Sequence, residues 1–63
     1  MALHTFYGTD KYSDRVAYVF KDDIGFIVYM IKDSAVIEER TIDGHSEQYA
    51  EDCAENWVLG VIQ

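Results

Sequence analysis

The chain has 63 residues, with 12 acidic side chains against five basic ones and a formal charge of −7. So short a chain makes one domain at most, residues 1–63, and buries only about 60% of the surface that its unfolded form exposes. Its charge is the wrong sign for direct binding to nucleic acid through phosphate neutralisation, and equally for an anionic membrane surface.

Leu3-His4-Thr5-Phe6-Tyr7 is a short β-prone run, read as a first edge strand. Leu3, Thr5 and Tyr7 fall on one side of it and His4 and Phe6 on the other. Gly8 to Asp14 has the Gly, Asp and Ser content of a loop, and Tyr12 within it is placed to cap a core.

The stretch from Arg15 to Ile42 organises the rest. Three runs rich in Val, Ile, Tyr and Phe are cut by two short turn signals, the pattern of an antiparallel β-meander. If Asp23-Ile24-Gly25 is a three-residue loop, with Gly25 as the left-handed residue of a bulge, even positions align with even. One face then carries Val16, Tyr18, Phe20, Phe26, Val28 and Met30. The other carries Arg15, Ala17, Val19, Lys21, Ile27, Tyr29 and Ile31. A loop of two or four residues shifts the parity and mixes the faces. The three-residue loop is preferred because it separates Arg15 and Lys21 from the largest apolar set.

The second turn, Asp33-Ser34, pairs Lys32 with Ala35 and Met30 with Ile37. Ile37 then joins the Phe26 face, and Val36, Glu38, Arg40 and Ile42 join the Tyr29 face. On this reading Ala17, Val19, Ile27, Tyr29, Ile31 and Val36 form an apolar patch too large to leave wet on a monomer.

Asp43-Gly44-His45-Ser46 is a break. Ser46 is a good N-cap, and Glu47 follows in the first turn, where the helix dipole favours a carboxylate. The run from Glu47 to Leu59 has helical period. Ala50, Cys53, Ala54, Trp57 and Val61 share one face, and Gln48, Glu51, Asp52 and Glu55 the opposite one. Gly60 is placed to end the helix. A helix with one apolar stripe covers one face of a sheet and not both. The fold expected is therefore α+β: an antiparallel meander of three strands, four with the N-terminal run, and one C-terminal helix packed on one face.

The residues that carry chemistry are sparse. His4, His45 and Cys53 are scattered without the spacing of a zinc site, so no metal and no cofactor is expected. Cys53 reads as a small core residue, and the single thiol leaves no intrachain disulfide. Asp22-Asp23 and Glu38-Glu39 are neighbours whose side chains point apart, so neither is a catalytic pair, and no phosphate loop or Ser-His-Asp order is present. No catalytic residue is assigned. Tyr7, Tyr12, Tyr18, Tyr29 and Tyr49 would suit a single-strand binder, but the basic partners are missing, and core or interface use fits better.

No apolar run approaches the ~20 residues of a membrane span. The first residues lack the basic region and apolar core of a signal peptide, and a lone thiol fits a reducing cytoplasm.

All five basic residues, Lys11, Arg15, Lys21, Lys32 and Arg40, lie in the first forty positions. The helix presents Glu47, Glu51, Asp52 and Glu55 as an acidic surface. The tail from Tyr49 to Ile62, Tyr-Ala-Glu-Asp-Cys-Ala-Glu-Asn-Trp-Val-Leu-Gly-Val-Ile, follows a Tyr-rich meander. In this it resembles short proteins of marine cyanophages. The resemblance covers about the C-terminal quarter with some support from the strands. It implies a viral or host-cytoplasm setting and brings no activity with it.

The function expected is a non-enzymatic protein-interaction module that works as a homo-oligomer, a homodimer in the first instance. Two alternatives stand beside it. One is an acidic decoy that occupies a host nucleic-acid-binding protein by imitating phosphates. The other is a small enzyme with a site built between subunits.

Overall fold

The computed structural model describes residues 2–61, so Met1, Ile62 and Gln63 lie outside it. Strands β1 (His4–Tyr7), β2 (Arg15–Lys21), β3 (Gly25–Lys32) and β4 (Ala35–Asp43) are followed by helix α1 (Glu47–Val58), with a 3₁₀ turn at Asp10–Tyr12. The strands form one antiparallel sheet in chain order, β1-β2-β3-β4. The helix lies over β1, β2 and β3 on one side. This is the α+β meander with a C-terminal helix that the periodicities predict, in its four-stranded form.

The helix ends follow local chemistry. Ser46 is extended, and its hydroxyl accepts a hydrogen bond from Tyr49 N at 3.3 Å, satisfying one of the orphan donors of the first turn. At the other end Gly60 has φ +77°. Its N–H donates to the Trp57 carbonyl at 3.0 Å, and Val61 N donates to the Asn56 carbonyl at 2.9 Å. That pair of bonds is the Schellman closure, which needs a left-handed residue at this point. The helix thus stops at Val58. Val61, expected on the apolar face, lies beyond the closure and is 68% exposed. Val58 is buried instead.

Two corrections concern the faces of the sheet. The first lies in the turn between β2 and β3. Lys21 pairs with Phe26 and Val19 with Val28, so odd positions align with even. Asp22 N donates to the Gly25 carbonyl at 2.9 Å. The Asp22 carboxylate accepts from Ile24 N at 3.0 Å and from Gly25 N at 2.8 Å. Asp22 and Gly25 therefore face each other across Asp23-Ile24, and the three-residue loop is not formed. Gly25 is not in the left-handed region either; positive-φ glycines among the described residues are Gly44 and Gly60. Its lack of a side chain serves a close approach: a Cβ there would sit 2.4 Å from the Ile42 carbonyl oxygen on β4.

The second correction is a bulge. The turn at Asp33-Ser34 has φ of 52° and 68°, the pair of positive values that a tight two-residue hairpin requires, and Lys32 pairs with Ala35 as expected. Ile31 then pairs with Val36, but Met30 pairs with Glu38 and not with Ile37. Ile37 is the extra residue of the bulge and is 55% exposed. From there on Glu38, Arg40 and Ile42 belong to the helix side, opposite Met30, Val28 and Phe26.

The core follows from this register. Ala17, Val19, Val28 and Met30 on the sheet are fully buried beneath Ala50, Ala54, Trp57 and Val58 of α1, with Ile42 closing the β4 end. Phe6, Phe26 and Cys53 pack around it, half-buried. Small residues on both layers, Ala17 on the sheet and Ala50 and Ala54 on α1, let the helix settle close to the sheet.

Candidate functional site

Alternation along each strand sends Val16, Tyr18 and Phe20 of β2 and Ile27, Tyr29 and Ile31 of β3 to the side away from α1. Val16 pairs with Ile31, Tyr18 with Tyr29 and Phe20 with Ile27, so the six form a contiguous block across the two central strands. Phe20 meets Tyr29 edge to face at 5.3 Å and 89°, and Tyr18 lies 6.4 Å from Phe20. Each of the six is half-buried, by its neighbours on the same face. Val36, opposite Ile31 on β4, extends the block and is 60% exposed. Glu39, opposite Tyr29, brings a carboxylate to this surface, and Thr41 sits opposite Ile27. A hollow of about 490 Å³ lies at one end, bordered by Asp14, Val16, Tyr18, Ile31 and Asp33.

Of the six residues expected in an interface patch, Ile27, Tyr29, Ile31 and Val36 lie on this open face. Ala17 and Val19 do not. Both are 0% exposed, beneath the helix. The change of parity at Asp22–Gly25 exchanges them for Val16, Tyr18 and Phe20, which makes the open face bulkier and more aromatic than the sequence reading has it.

The acidic surface of α1 divides. Glu47, Asp52 and Glu55 are exposed, with Asp52 accepting a hydrogen bond from Gln48 at 3.0 Å. Glu51 is half-buried and turns toward β1. There His4 Nε2 lies 2.6 Å from Glu47 Oε2 and 3.6 Å from Glu51 Oε2. Donor atoms of all three residues fall within 4.8 Å of one another. The sequence holds His4 more than forty positions from the two glutamates, and only the packing of α1 on β1 joins them.

Arg15 is the other residue whose role the sequence hides. It sits at the end of the sheet nearest the helix C-terminus, and its Nη1 donates to the Trp57 carbonyl at 2.8 Å. A cation there opposes the negative end of the helix dipole. The guanidinium lies 4.5 Å from the centre of the Tyr12 ring and 5.0 Å from that of Trp57, close enough for cation–π attraction. Tyr12, expected to cap the core, is half-buried and lies against the Arg15 guanidinium.

Cys53 is half-buried on the helix face, in the core-lining position expected of it. Arg40 Nη1 approaches its sulfur at 3.4 Å. The Arg40 guanidinium is held above its usual range, chiefly by its hydrogen bond to Glu38, against a smaller effect of burial, with the Cys53 sulfur adding to the rise. His45 stacks on Tyr49 at 3.9 Å beside the helix entry.

The chain matches no protein-family model, no curated protein and no solved structure. No helix among the described residues is long and apolar enough to cross a membrane.

Proposed function

We propose that the chain is a non-enzymatic interaction module that acts as a homodimer, joined through the open face of its sheet. The observation that carries this reading is the block of Val16, Tyr18, Phe20, Ile27, Tyr29, Ile31 and Val36 on a side that α1 does not cover. Contiguous apolar surface rimmed by polar residues is the mark of a contact site, and half-buried tyrosines are typical of its centre.

The occupant is a second copy. Each chain carries −7, so two copies repel wherever carboxylates meet, and the open face is poor in charge. Contact there brings the two chains together with the fewest like charges opposed. A specific interface takes roughly 800 Å² from each partner. That is of the same order as one long side of a molecule measuring 34 × 20 × 17 Å. Burial on this scale, somewhat more than half of it apolar, supplies roughly 20 kcal/mol gross at ~25 cal/mol per Å² before association costs, a large gain for so small a domain. Aligned sheet-on-sheet packing about a twofold axis satisfies it.

The resemblance of the Tyr-rich chain and its C-terminal tail to short cyanophage proteins supports reading such a dimer as a phage accessory protein of a host cytoplasm. The exposed Glu47, Asp52 and Glu55 of α1 support a second reading, in which they act as phosphate mimics against a host nucleic-acid-binding protein.

Diluting isotope-labelled protein through the micromolar range tests the dimer residue by residue. Amide signals of β2 and β3 should shift while those of α1 stay in place. Concentration-dependent shifts confined to α1 or to the β4 edge would contradict the face assigned. A folded monomer that displaces DNA from its binding protein would favour the decoy.

A further inference from the structure

We propose that His4, Glu47 and Glu51 form a binding site for a divalent first-row transition cation of the Zn2+ type. The three side chains come from two elements that the core holds together. One imidazole nitrogen and two carboxylate oxygens are a mixed donor set that suits such ions. Donors around a tetrahedral ion held at ~2.1 Å sit ~3.4 Å apart. The His4–Glu51 separation of 3.6 Å matches this already. The His4–Glu47 separation of 2.6 Å reaches it through a small rotation of the exposed Glu47 side chain.

Charge balance strengthens the assignment. Glu47 and Glu51 are an i, i+4 pair of like charges, which destabilises a helix when nothing lies between them. Glu47 is favoured by its place in the first turn, and the hydrogen bond to His4 satisfies one of its oxygens. Glu51 has neither advantage. Among the described residues no lysine or arginine pairs with it, yet it is half-buried and turned to the same nitrogen. A divalent ion seated between the three groups neutralises both carboxylates and ties β1 to α1. The site lies on the helix side of the sheet, away from the open face, so its stoichiometry is one ion per chain in monomer and dimer alike.

Titration calorimetry of the whole chain with ZnCl2 tests this. Saturable binding of one ion per chain is expected, with a rise in melting temperature as the folded state takes up the ion. His4→Ala and Glu51→Gln should each weaken binding by at least the roughly tenfold that loss of even an outer-shell partner brings. Glu55→Gln, on the exposed side of α1, should leave it unchanged. Circular dichroism checks that the variants fold, and Glu51→Gln decides alone if His4→Ala does not. Absence of saturable heat, or an affinity that survives in the folded variants, overturns the proposal.

Discussion

The two faces of the sheet share strands and register, yet they carry different kinds of side chain, and α1 covers only one of them. The helix side carries Ala17, Val19, Val28 and Met30, all fully buried, beneath a helix whose contact residues include two alanines. These are compact side chains without polar atoms, suited to a dry and permanent contact. The open side carries Tyr18, Phe20 and Tyr29 among Val16, Ile27 and Ile31, none of them fully buried. Large rings with a phenolic hydroxyl tolerate water and still bring a large apolar area to a partner. On the proposed reading, a face that forms once, during folding, differs in this way from one that exchanges water for a second chain.

Mutations break this comparison at different points. The largest effect belongs to the helix side. Trp57→Ala should destabilise the fold by about 3–5 kcal/mol, because Trp57 is 4% exposed and plugs the core. Glu55→Ala, two residues away on the exposed side of the helix, should stay within about 0.5 kcal/mol. Equal shifts of the two urea midpoints would mean that the buried face is misassigned.

On the open side the readout changes from stability to association. Ile27→Lys should raise the dimer dissociation constant by about 100-fold, near 2.7 kcal/mol, while circular dichroism remains that of a folded chain. Ile31→Glu should act alike. Sedimentation at several concentrations separates this from simple unfolding, and an unchanged dimer would remove the open face from the interface.

Smaller effects sharpen the helix end of the comparison. Ser46→Ala should cost about 1 kcal/mol in a denaturant melt, through loss of the cap to Tyr49. No loss would mean that water serves that N–H equally well. Cys53→Ala should cost somewhat less, roughly 0.5–1 kcal/mol, as a small volume change at a half-buried site. Rapid labelling of the native protein by a thiol reagent would contradict its place against the core.

Much of this fold is legible because its signals are local. The four strands, the turn at Asp33-Ser34, the Ser46 cap and the Gly60 stop each rest on a few adjacent residues, and each is found where the sequence places it. The pairing of faces is not legible in the same way. It depends on whether Asp22 closes the turn with its own carboxylate, a matter of two hydrogen bonds, and one residue of slippage exchanges every side chain between the faces. The bulge at Ile37 repeats the difficulty, since nothing in Val36-Ile37-Glu38 announces an unpaired residue. The meeting of His4 with Glu47 and Glu51 lies further out of reach. It comes from packing between the two ends of the chain, which no spacing rule captures.

The central claim is that the uncovered face of the sheet joins two copies. Light scattering coupled to size exclusion tests it most directly, on the unmodified chain across the micromolar range. The account predicts a folded species of twice the 7.3 kDa chain mass that dissociates on dilution or on Ile27→Lys. A folded 7.3 kDa monomer that persists at high concentration would contradict it.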